Sequence, residues 1–259
     1  MADADRQSAR RTRVPESPVV ADALREFLER PDRGLLVDLD GTLVHSETAN
    51  QRALRRYFRQ RGWDVADDLI TRFSGRRAHE VFAAIEGPWR GEDPLLLTRG
   101  VQRVLSTMKV EPEPVAGAAQ LLAACVSTGL PVAVVTSATR AWSATMLRSL
   151  NVDVAAIRMV TDEDCTFGKP DPEPFFRGAT LLGEDPSDLV AIDDAPAGVA
   201  SALAAGMGLV VGVTTGHPAE RLQTAGAHVT ASDLRGLADA VASRRSPCSA
   251  GRGDHRPRT

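Results

Sequence analysis

Cysteine, lysine and long apolar runs are all scarce in this 259-residue chain, and each scarcity removes a class of explanation. Cys125, Cys165 and Cys248 are scattered, odd in number and lack a CxxC or CxxH spacing. Neither a disulfide framework nor a zinc site is expected, and Cys125 and Cys165 read as packing residues. No uninterrupted apolar stretch approaches membrane-spanning length, and the opening MADADRQSARRTRV is charged with no apolar segment after it. A soluble cytoplasmic protein with no membrane partner is expected. Net charge is −3 with 25% charged residues, which argues against nucleic acid and for a small-molecule partner of a monomer or homodimer. Of 31 Lys plus Arg residues only Lys109 and Lys169 are lysines. A lysine kept against that bias marks a place where chemistry requires a compact ammonium, although Lys109, in a polar stretch before EPEP, reads as chance retention.

What is present is an alternation of short apolar runs with amphipathic segments, the signature of a parallel sheet covered on both faces. The runs are LLVDL at 35–39, VAVVT at 132–136, AIRMV at 156–160, LVAI at 189–192 and LVVGV at 209–213. Ser17 as N-cap and Pro18 at the first helical position predict a helix through Leu28, ahead of the first run. Residues 46–112 break the rhythm with four helical segments and no convincing strand, so a small helical cap is expected there, with EPEPVAG as the hinge returning to the core. The predicted architecture is α/β: a Rossmann-like, doubly wound parallel sheet built from 15–45 and 113–243, interrupted by that cap. The polar stretches 1–14 and 244–259 are expected to be disordered.

Open sheets of this kind bind ligands at the carboxyl ends of their strands. After the first run stands DLDGTLVHS, where Asp38 and Asp40, two apart, point to the same side while the chain stays extended. Two like charges in one site split their pKa values, leaving one acid ionised as nucleophile and the other protonated as general acid. Gly41 permits a sharp turn, and Thr42 can bond backbone or phosphate. A simple turn after a buried strand uses the same residue types. VVTSAT places Thr136 and Ser137 where hydroxyls and N–H groups can hold phosphate oxygens, or merely cap a helix. GKPDPEPF presents Lys169 in a rigid turn, able to bind phosphate and nucleophile together, or to stay solvated. AIDDAPAG ends a run with Asp193 and Asp194, adjacent acids that either decorate a helix start or share a cation; an all-oxygen donor set favours Mg2+ over zinc.

Taken in their serial order, DLDGT, Thr136, GKPDPEP and the Asp193–Asp194 pair resemble the four motifs of the haloacid dehalogenase superfamily over about residues 33–240. The helical insertion is similar to the cap of its phosphoglycolate phosphatase and β-phosphoglucomutase branch. VVTSAT and DDAPAGV look most like the sugar-phosphate, polyol-phosphate and glycerol-phosphate phosphatases. The resemblance implies that Asp38 attacks phosphorus while Asp40 protonates the leaving oxygen and then activates water. Thr136 and Lys169 would hold the transferring group. Asp38, the Asp40 backbone carbonyl and Asp194 would ligate Mg2+, with Asp193 direct or through water. A phosphate dianion approaching these carboxylates meets about 4 kcal/mol of repulsion per like-charge pair at ~4 Å and an effective dielectric of ~20, which Mg2+ and Lys169 would offset.

Arg76 and Arg77, with His79 and Trp89 behind them, are the cap residues expected to meet the leaving group. His45 stands where many relatives have Asp, as a substrate contact or an incidental loop residue. The expected function is a Mg2+-dependent phosphatase of a small phosphorylated metabolite. A phosphosugar mutase of the β-phosphoglucomutase type is the alternative, disfavoured because Asn50 stands at that group's histidine position; a noncatalytic metabolite-binding module is the other.

Overall fold

The computed structural model describes residues 18–30, 32–108 and 113–244. Ser17, Lys109, Cys248, the opening segment and all but the first residue of the expected tail lie outside them.

After helix α1 (Pro18–Leu28) come β1 (Gly34–Val37) and four helices, α2 (Glu47–Gln60), α3 (Asp67–Thr71), α4 (Ala78–Ala84) and α5 (Pro94–Ser106). The chain then alternates through α6 (Ala118–Thr128), β2 (Val132–Val135), α7 (Arg140–Ser149), β3 (Arg158–Val160), α8 (Glu173–Leu182), β4 (Leu189–Asp193), α9 (Pro196–Ala204), β5 (Leu209–Val213), α10 (Ala219–Thr224), β6 (Val229–Ala231) and α11 (Arg235–Ala242). All six strands are parallel in the order β3-β2-β1-β4-β5-β6, the doubly wound Rossmann-like sheet that the apolar runs predict. Five strands coincide with those runs. The sixth, β6, has no buried residue, because a short edge strand needs little apolar surface and leaves no apolar run to read.

The central strands are buried on both faces, so their side chains divide between two cores. Leu35, Val37, Val190 and Ile192 join α1, α6 and α11 in one; Leu36, Leu189 and Ala191 join α8 and α9 in the other. Cys125 is buried and Cys165 half-buried, both as free thiols, in keeping with packing roles.

Helices α2–α5 carry a third core of their own, in which Phe58 stacks on Trp89 at 5.4 Å and Phe73 meets Phe82 edge-on at 4.9 Å. Trp89 is therefore a core residue and not a substrate contact: it is 2% exposed and its indole donates to the Ile85 carbonyl. The segments leaving and re-entering the sheet run side by side, with Val44 bridged antiparallel to Pro114, the His45 amide bonded to the Glu113 carbonyl and the Val115 amide to that of Leu43. No helix among the described residues is long and apolar enough to cross a membrane.

Phe58 touches most of the aromatic cluster, so Phe58→Ala is expected to destabilise the protein by about 3–5 kcal/mol. Denaturant unfolding followed by the fluorescence of Trp63 and Trp89, both against this ring, measures it.

Candidate active site

The carboxyl ends of β1, β2 and β4, three adjacent strands, bring the sequence motifs together. Asp38 follows β1 directly, and its amide donates to the Ile192 carbonyl of β4 at 2.9 Å. Lys169, from the loop before α8, is fully buried with its ammonium 2.6 Å from Asp38 Oδ1, 2.8 Å from Asp193 Oδ2 and 3.0 Å from the Val135 carbonyl. An ammonium has three N–H groups, and these three acceptors use them all. Burial disfavours the charge on Lys169, but Asp193 and Asp38 outweigh it and raise its pKa. In this arrangement Lys169 fixes the carboxylates and does not line the cavity beside them; of the two contacts expected of it, with nucleophile and phosphate, the ammonium makes the one with Asp38.

Asp38, Asp193 and Asp194 each offer a carboxylate oxygen within 4.8 Å of the others, and all three are buried. Burial and then the attraction and repulsion of Lys169 and Asp193 set Asp38, with the net result a pKa pushed up to about 7. Burial, followed by the charges of Asp38 and Asp193, raises Asp194 well above the ordinary carboxylate range. One lysine against three acids leaves negative charge uncompensated, and oxygen donors alone suit Mg2+. The Asp40 carboxylate stands outside that group, which leaves only its backbone carbonyl for the metal role expected of it. Two glycines make the crowding possible: a Cβ on Gly41, at φ +94°, would sit 2.2 Å from Asp194 Oδ2, and one on Gly198 would sit 1.9 Å from Asp193 Oδ2.

Asp38 and Asp40 open onto a cavity of about 350 Å3 between the sheet and the helical insertion. The Asp40 carboxylate accepts from the Ser46 hydroxyl and, at 2.9 Å, from the Trp142 indole N–H; burial raises its pKa and these two bonds oppose the rise. Thr136 and Ser137 line the cavity. The Thr136 hydroxyl accepts from the Ala138 amide, whereas that of Ser137 donates to the Gly75 carbonyl across the cavity mouth.

Several expected substrate contacts are outside the cavity or already engaged within the protein. His45 is exposed and outside the cavity lining, because it follows the turn that carries Asp40 inward. Thr42 is buried and donates to Asp194 at 3.4 Å, supporting a carboxylate in place of a substrate. Arg77, 4% exposed, donates to the carbonyls of Asp162, Cys165 and Thr166 and pairs with Asp162 and Glu80, so its cationic head holds a core loop. Arg76, Arg77 and His79 all line the cavity, Arg77 with its guanidinium committed to that loop. Sequence reasoning missed Ser46, Glu47 and Trp142; only proximity to DLDGT could have flagged the first two, and nothing in TRAW marks Trp142 as a partner of Asp40.

A family model described as haloacid dehalogenase-like hydrolase matches residues 35–212. The chain belongs to this family. Among curated relatives of this haloacid dehalogenase-like hydrolase is the validoxylamine A 7'-phosphate phosphatase of Streptomyces hygroscopicus subsp. limoneus, 36% identical over 73% of this chain and 89% of the relative. The hexitol phosphatase A of Escherichia coli is 32% identical over 67% of this chain and 80% of its own length. A solved structure of a putative β-phosphoglucomutase from Bacteroides vulgatus shares the fold, with TM-score 0.72 at 21% identity over 86% of this chain and 97% of that one.

Because Asp38 and Asp194 bind protons more tightly folded than unfolded, their contribution to the stability of metal-free protein falls as pH rises above the ordinary carboxylate range, for Asp38 toward about 7. Asp194→Asn removes one such group. Urea unfolding in EDTA is expected to show the variant gaining stability relative to the parent as pH rises above that range; a pH-independent difference would contradict the assignment.

Proposed function

We propose that this hydrolase is a Mg2+-dependent phosphatase that removes phosphate from a small sugar, polyol or glycerol phosphate through an aspartyl phosphate on Asp38. The observation that carries the reading is the placing of two acids at one cavity in unlike surroundings. Asp38 is held by Lys169 at 2.6 Å within the carboxylate cluster, where the ammonium opposes the burial that raises its pKa and a cation at the cluster would complete its ionisation, whereas Asp40 stands outside the cluster with only neutral donors at its carboxylate. The names of the two relatives, both phosphatases and one of hexitol phosphates, point the same way.

Asp38 attacks phosphorus in line with the leaving oxygen, and the P–O ester bond breaks as the aspartyl phosphate forms. Asp40, protonated at this stage, gives its proton to the departing oxygen. As a carboxylate it then takes a proton from the water that attacks the same phosphorus, releasing inorganic phosphate and restoring Asp38. Lys169 holds the Asp38 carboxylate in register with Asp193, and Thr136 stands at the cavity wall to orient the phosphoryl group. Asp38, Asp194 and the Asp40 carbonyl, with Asp193 directly or through water, would hold Mg2+, whose charge would offset that of the phosphoryl oxygens. The helical insertion, over 46–112, serves as a cap that keeps bulk water and large substrates out. The enzyme is read as cytoplasmic, and as a monomer or homodimer.

Phosphate release from a panel of phosphate esters is expected with Mg2+ and abolished by EDTA. Asp38→Asn is expected to lower turnover by at least ~10³-fold. Isomer formation in place of phosphate release would establish a mutase, and inertness of folded protein toward the whole panel would return the noncatalytic reading. Trp142→Phe deletes a donor that favours ionised Asp40, so the acidic limb of the kcat–pH profile is expected to move to higher pH; an unmoved limb would show that Trp142 does not position the general base.

A further inference from the structure

Helix α5 divides its faces in an unusual way. Leu97, Val101 and Val104 enter the aromatic core of the insertion. Thr98, Gln102 and Ser106, each four residues from the last, form a single polar stripe beside them. All three residues line the cavity that contains Asp38 and Asp40, Thr98 half-buried and Gln102 and Ser106 exposed.

Three buried polar atoms of the cavity lining have no hydrogen-bond partner among the described residues: Asp162 Oδ1, which is ion-paired with Arg77, and two with no such pairing, Thr98 Oγ1 on α5 and Arg76 Nε on the turn before α4. Arg77, the neighbour of Arg76, is by contrast bonded to three carbonyls and two carboxylates. Buried polar groups in folded proteins are almost always paired, so two orphans on one cavity wall mark where a ligand supplies the partners. The neighbouring charge selects the ligand. Asp40 and Glu47 line the same cavity, so a leaving group bearing its own carboxylate meets acids as well as Arg76. Hydroxyl groups, which donate and accept, match a hydroxyl, an amide and a guanidinium N–H without that conflict.

We propose that Thr98, Gln102 and Arg76 form a leaving-group subsite that recognises an uncharged polyhydroxylated chain or ring hydroxyl by hydroxyl, and so selects polyol and sugar phosphates over hydroxyl-poor or carboxylated esters. This rests on the phosphatase reading above. Recognition at Thr98 Oγ1 and Arg76 Nε, both buried, discriminates sharply, because an ester without the hydroxyl leaves those atoms unpaired.

The test compares kcat/KM for glucitol 6-phosphate with that for p-nitrophenyl phosphate in the full chain with Mg2+. Both Thr98→Val and Gln102→Leu are close in shape but unable to pair with hydroxyls; the first is expected to lower the ratio about tenfold and the second, at the exposed Gln102, about threefold, with Thr98→Ser restoring most of the first loss. An unchanged ratio in both variants, an equal loss on both substrates, or a wild-type preference for 2-phosphoglycolate would overturn the subsite. In each of these cases wild-type turnover of p-nitrophenyl phosphate leaves the phosphatase reading standing. Absence of wild-type turnover on every ester would remove both.

Discussion

A single buried ammonium organises the site. Lys169 lies wholly inside the protein between Asp38 and Asp193, and the position of each carboxylate is set by its bond to that one nitrogen. Taking three charges out of water is unfavourable by several kcal/mol per ion, and it is tolerated only where the geometry returns the attraction at close range. The third acid, Asp194, has no such partner: it has the Thr42 hydroxyl at 3.4 Å and two like charges nearby, and its pKa rises accordingly. The pocket is thus incompletely neutralised by the protein's own residues. A divalent cation, with the charge and the oxygen preference the cluster calls for, is the economical completion.

The sheet makes this crowding possible. Side by side in register, β2, β1 and β4 deliver Val135, Asp38 and Asp193 to one rim at the strand spacing of about 4.8 Å. The acids fit there because Gly41 and Gly198 present no side chain to them; either Cβ would overlap a carboxylate oxygen. Sequence, strand order and electrostatics therefore converge on a rim where small residues and acids have to alternate.

Much of this was legible beforehand, for identifiable reasons. Central parallel strands are apolar on both faces, so five of them stand out as continuous runs, and DLDGT, GKPDPEP and IDDAPAG stand out because glycine and acids interrupt such runs. Contacts joining distant segments were not legible. The bond from Trp142 to Asp40 spans 102 positions and depends on how α7 is rotated. Arg76 and Arg77 are identical residue types in adjacent places and both border the cavity, yet the guanidinium of Arg77 is taken up by a core loop while Arg76 Nε has no partner among the described residues. Trp89 offered the same ambiguity, since an aromatic serves equally as core or as contact wall, and burial decided it.

The grip of that second arginine joins the two parts of the molecule. Arg77 holds the carbonyls of Asp162, Cys165 and Thr166, and Glu80, one turn on, accepts from the Gly168 amide at 2.7 Å. Gly168 immediately precedes Lys169, and a Cβ there would lie 2.6 Å from the Arg77 side chain. Helix α4 of the insertion therefore clasps the very loop that carries the central ammonium, while Ser137 at the end of β2 is bonded to Gly75 beside the same helix. The bonds that hold the insertion against the sheet are thus also bonds that hold the loop carrying Lys169, on which both carboxylates depend.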